Sequence, residues 1–148
     1  LPQLPEDVDK KVGSDARLPY LLKGLPAGVR VEKVSCGSHH TSVLLEDGSV
    51  YAVGISSDTK EPILEPVELL PSGSVELPVR QFEAHMDRTT VVGKSGRQVV
   101  QVQLWKDEEL RVYAPFTPAW IELLLEENPD LQIESIHRSW MHSVAVTN

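Results

Sequence analysis

Apolar residues recur along this chain in short alternating bursts separated by turn residues, and only once at helical spacing. From Val31 the pattern runs through Val34, then "TSVLLE" (41–46), a polar "DG", and "SVYAV" (49–53). Alternation over a few residues, bounded by Gly, Asp or Ser, is the period-two mark of half-buried strands. The pattern predicts a short strand bracketed by Val31 and Val34, a corner at "CGSHH" (36–40), a strand over 41–46 and a returning strand after the turn. Asp47-Gly48 between apolar runs is a strong hairpin signal, because both central residues tolerate positive φ.

The frame then repeats. An offset of 48 lays "VEKVSCGSHHTSVLLEDG" (31–48) on "VRQFEAHMDRTTVVGKSG" (79–96) without a gap. Val31 falls on Val79, Val34 on Phe82, Thr41 on Thr89, Val43 on Val91 and Gly48 on Gly96. An offset of 102 adds "IESIHRSWMHSVAVTN" (133–148), with Ile133, Ile136 and His142 on Val31, Val34 and His40. After the second turn, Ser95-Gly96, the β-branched and aromatic run "RQVVQVQLW" (97–105) predicts a further strand. A period near 50 with several strands per unit points to propeller-type blades. The expected fold is all-β: a partial β-propeller of antiparallel multi-stranded blades with one short inserted α-helix.

That helix is expected near 118–127, within "FTPAWIELLLEENPD" (116–130). Thr117 is placed to cap it, Pro118 suits its first turn, and Asn128-Pro129 ends it. Trp120, Leu123 and Leu124 share one face, with Glu122, Glu126 and Glu127 largely opposite. Two readings stand: an insertion packed on a blade, or a docking helix with Trp120 as anchor and Leu123 and Leu124 beside it. "KDEEL" (106–110) is expected to be a solvated hairpin turn.

Composition narrows the function classes. The 148 residues carry a net charge of −8, which argues against a phosphate-binding surface, so direct nucleic-acid binding is not expected. The single cysteine cannot form an internal disulfide, and an intracellular setting is favoured, the organelle being left open. No apolar run approaches the roughly 18 residues of a membrane span. The chain starts at Leu1, which suggests a processed or excised end.

"VEKVSCGSHHTSVLLEDGSVYAVG" (31–54) resembles the repeat of the regulator of chromosome condensation family, seven-bladed propellers patterned "V..V.CG..HT..L..DG.VY..G". Cys36, Gly37, His40, Thr41, Asp47, Gly48, Tyr51 and Gly54 stand at its motif positions, and "RLPYLLKGLPAGV" (17–29) resembles the proline-led tail of an upstream repeat. The resemblance divides the chain into an upstream tail (1–30), a first repeat (31–78), a degenerate second repeat (79–132) and the start of a third (133–148). The second keeps Gly96 but has His85 and Arg88 where the pattern has Gly and His; the third keeps His142. About two blades are present. The chain is then either part of a longer propeller or a partial propeller whose edges a partner covers.

Cys36 with His39 and His40 invites a metal or nucleophile reading. One thiol lacks the further ligands a zinc site needs, and adjacent strand residues point to opposite faces. The resemblance accounts for Cys36 as a small buried blade residue and for His40 as an imidazole hydrogen-bonding backbone at the corner, a role His142 is expected to repeat. Asp47 beside Glu46 reads as turn chemistry rather than acid–base chemistry. No catalytic, metal or cofactor-binding residue is assigned, no cofactor is expected, and the chain is read as a non-enzyme. The expected function is a protein–protein interaction or scaffold segment; the alternative implied by the resemblance is part of a guanine-nucleotide exchange factor or chromatin-associated propeller. The expected partner is a protein: the remainder of the propeller, another subunit or a small GTPase.

Overall fold

The structure, a computed structural model, describes residues 21–111 and 115–148. Residues 1–20 of the upstream tail thus lie outside the described residues. Strands β1 (Val31–Cys36), β2 (His40–Leu45), β3 (Val50–Ile55) and β4 (Pro62–Leu70) form an antiparallel sheet in that order. Strands β5 (Gln81–His85), β6 (Arg88–Val92) and β7 (Val99–Gln103) form a second antiparallel sheet. Phe116 extends its edge through a bridge to Gln101. The third unit is a hairpin of β8 (Ile133–Arg138) and β9 (Ser143–Thr147). Antiparallel order within each unit, and docking of successive units face to face, make a partial propeller.

Between the second and third units lie α1 (Glu108–Arg111) and α2 (Ala119–Glu127). The expected hairpin turn at 106–110 is instead the entry to one helical turn. The Asp107 carboxylate accepts the Glu109 N–H at 2.9 Å and its carbonyl accepts Arg111 N at 3.1 Å, local bonds that favour a capped turn.

The two interior clusters sit between the units. Leu44, Val50 and Ala52 of the first blade pack with Val79, Phe82 and Val91 of the second. Val92 and Val99 of the second pack with Ile133 and Ile136 of the third, and Ile121 and Leu125 of α2 complete that cluster. Burying such side chains contributes about 1.5–3 kcal/mol each, so docking of neighbouring units adds to the stability of each.

Two local expectations are corrected. Thr117 does not cap α2; its hydroxyl donates to the Val99 carbonyl at 2.7 Å, and Pro118 stands at the cap without a side-chain bond. The Asp47-Gly48 turn has only Gly48 at positive φ, +85°. Gly48 N donates to the Leu45 carbonyl and Leu45 N to the Ser49 carbonyl, each at 3.0 Å, giving a three-residue loop that closes on glycine. The Asp47 carboxylate accepts the Ser49 N–H at 2.9 Å, fixing the turn by a side chain rather than by a second positive φ.

Candidate functional site

The corner Gly37–His39 joins β1 to β2 and meets the second blade. Gly37 N donates to the His40 carbonyl at 2.8 Å, and Ser38 N reaches across to the Met86 carbonyl at 3.0 Å. His40 is buried, with Nε2 3.1 Å from the Thr89 hydroxyl on β6, and Ser42 also hydrogen-bonds that hydroxyl. Ser35 accepts the Ala84 N–H at 2.8 Å. A Cβ at Gly37 would stand 2.5 Å from the His40 ring and 2.7 Å from the Met86 carbonyl, so the blades meet this closely only over glycine. Burial lowers the His40 pKa, against the opposing pull of the Asp87 carboxylate and the Met86 carbonyl, so the ring is neutral at pH 7. The backbone partner expected for His40 comes from across the boundary, the Met86 carbonyl of the next blade, with the Thr89 hydroxyl as a second partner.

The second boundary uses other groups. Gln81 on β5 clamps the third blade's backbone: its Nε2 donates to the Ile136 carbonyl at 2.8 Å, and Ile136 N donates to its Oε1 at 2.6 Å. His85 accepts the Arg138 N–H at Nδ1, 3.2 Å, which leaves Nε2–H for the Thr90 hydroxyl at 3.0 Å. Burial, ahead of all other causes, lowers its pKa, and the Glu83 carboxylate opposes. Arg138 pairs with Asp87 at 3.3 Å, and Arg80 pairs with Glu134 while donating to Gln132 at 2.8 Å. Arg88, in the position of His40, lays its guanidinium over the Phe116 ring, 5.0 Å from the centroid.

The remaining motif residues are dispersed. Cys36 is exposed rather than buried, because the outer face of β1 has no described blade against it; its Sγ lies 3.5 Å from the Thr41 hydroxyl, not from an imidazole. Tyr51 donates to Glu68 at 2.9 Å, Gly54 lets β3 approach the His39 carbonyl, and Gly96 closes the second turn. His142 is exposed and bonds Ser139 within its own corner, so it does not repeat the cross-blade bond of His40. Among the described residues no group of three or more His, Cys, Asp or Glu is placed to hold a metal ion. No described helix is long and apolar enough to cross a membrane. Sequence reading missed Gln81, Thr89, Asp87 and Arg138; only the buried register position of Gln81, in a strand that opens with it, hints at its role.

On α2 the packed residues are Ile121 and Leu125, while Trp120 is 43% and Leu123 55% exposed, with Leu124 half-buried. The stripe of Trp120, Leu123 and Leu124 therefore turns largely outward. Arg97 ends the helix, donating to the carbonyls of Leu125 (2.8 Å), Asn128 (3.1 Å) and Leu131 (2.8 Å). This cation compensates a C-terminus that the helix's own glutamates disfavour. Trp120 also walls a groove of about 370 Å³ with Arg138, Trp140, Met141, His142 and Ser143.

Comparison with known proteins agrees with this architecture. The regulator of chromosome condensation (RCC1) repeat model matches residues 31–58. Human WBSCR16 superposes with a TM-score of 0.59 at 26% identity, over 86% of this chain and 34% of that one. Yeast RCC1 (Prp20), solved bound to Kap60, gives a TM-score of 0.50 at 16% identity, over 82% and 31% of the two chains. No curated protein matches the sequence. The chain spans about a third of the length of these solved structures. With the repeat motif at 31–58, sheets of antiparallel strands and successive units docked face to face, this chain carries a regulator of chromosome condensation repeat and has the fold of a partial β-propeller, similar to these structures.

Proposed function

We propose that this chain is a non-catalytic protein-interaction or scaffold segment of an RCC1-like propeller. The observation that carries the reading is the contrast between equivalent frame positions at the start of each unit. Val79 and Phe82, and again Ile133 and Ile136, are buried under the preceding blade, while Val31 and Val34 are 49% and 59% exposed. The polar motif residues are meanwhile spent on turns and blade boundaries. The face of β1 is thus an apolar surface suited to covering by a protein, whether the remainder of the propeller or another subunit.

A photo-crosslinker at position 34, with the adduct identified by mass spectrometry, tests the reading beside an assay of guanine-nucleotide release from purified small GTPases. Cross-linking to a protein surface without acceleration of release is the expected result. Catalysed release, or a position 34 that cross-links to nothing, would overturn it.

A further inference from the structure

We propose that the outer face of α2 and the groove beside Trp120 form a docking surface for a basic amphipathic helix of a protein partner. This rests on the interaction reading and names the partner's chemistry. Ile121 and Leu125 already supply the contacts that hold α2 to the blades, so Trp120 and Leu123 are not needed to seat it. They lie three residues apart on one side of the helix, and exposed apolar side chains so placed are what a partner helix reads. Trp120 leads into the groove, whose far wall is Trp140 and Met141, both exposed. Its volume is at the low end for a ligand pocket and admits one bulky side chain.

Charge sets the sign of the partner. Glu122, Glu126 and Glu127 on α2 and Asp130 just beyond are all exposed. Among the described residues none of the four has an ion-pair partner. On helical geometry Glu126 and Glu122 flank the Leu123 side of the stripe, and Glu127 stands between Leu123 and Trp120 one turn on. The cations nearby are engaged: Arg97 by three carbonyls and Arg138 by Asp87. An apolar stripe edged by exposed carboxylates with no ion-pair partner among the described residues complements a helix with an apolar seam flanked by Lys or Arg, and repels anionic lipid and nucleic acid alike.

The test is fluorescence anisotropy of a labelled synthetic helix with a Leu seam and Lys flanks, titrated with the whole chain. Controls are the same seam flanked by Glu and a scrambled peptide of the Lys composition. Saturable binding of the Lys-flanked peptide alone is expected, weakened about tenfold or more by Trp120→Ala or Leu123→Ala. The triple reversal Glu122→Lys, Glu126→Lys, Glu127→Lys should weaken it about tenfold and transfer preference to the Glu-flanked peptide. Unchanged melting of Trp120→Ala establishes that lost binding is not lost folding. Equal binding of the scrambled peptide, or no effect of the substitutions, overturns the proposal. So does self-association of the chain that Trp120→Ala abolishes, since the occupant is then a second copy. None of these outcomes alters cross-linking at position 34, so the docking helix can fail while the interaction reading stands.

Discussion

The two blade boundaries share a backbone frame and differ in their polar chemistry. Between the first and second blades an imidazole and hydroxyls meet, His40 and Ser42 on Thr89, with backbone bonds at the corner. Between the second and third blades an amide clamp and two ion pairs take over, through Gln81, Arg138 with Asp87, and Arg80 with Glu134. Both boundaries bury apolar residues of an incoming first strand at the same register positions. The hydrophobic positions are therefore the repeated element, while the polar groups that bridge the boundaries vary.

The largest effect should come from removing a side chain that the first-strand positions bury. Phe82→Ala should cost about 3–5 kcal/mol in urea unfolding, whereas Val34→Ala, at the equivalent exposed position, should stay within about 0.5 kcal/mol. An equal loss at both would mean that the β1 face is covered in the isolated chain.

Next comes the clamp. Gln81→Ala leaves the Ile136 N–H and carbonyl without that partner and should cost about 1–3 kcal/mol, while Ser35→Ala at the first boundary should cost less.

A smaller, pH-dependent effect distinguishes the histidines. His40 and His85 both have pKa values lowered by burial, so below about pH 6.5 the unfolded chain binds protons that the folded chain does not. Stability should therefore fall as pH drops through that value toward the folded-state pKa, by at most about 1.4 kcal/mol per pH unit for each histidine. Thermal melts from pH 7.5 to 5.5 should show the loss, and His40→Gln should flatten part of it. Asp47 and Glu76, lowered by hydrogen bonds from Ser49 and Ser95, act in a separate window below about pH 4.5.

The smallest effect is expected at the surface pair. Glu134→Gln should cost no more than about 1 kcal/mol, and 0.5 M salt should erase most of the difference, because Arg80 and Glu134 reach solvent.

Much of this was legible along the chain. The strands over 31–55, the turns at Gly48 and Gly96, the three copies in one frame and the helix near 118–127 all follow from patterns a few residues long. The errors came where two local options competed. Thr117 has the chemistry of a cap but lies beside the Val99 carbonyl, and Cys36 stands at a position that burial would suit but on a face left open. For α2, the residues chosen as one face were real neighbours, yet the blades selected Ile121 and Leu125, one step round the helix.

Local alternation, turn residues and the repeat thus specified strands, corners and family resemblance, because each depends on torsional preference and burial pattern within one unit. Partner choice was settled by the docking of units. His40 meets a hydroxyl 49 residues away and Gln81 a backbone 55 residues away. No short-range pattern encodes such a meeting, since it exists only once the apolar faces have set the blades in register.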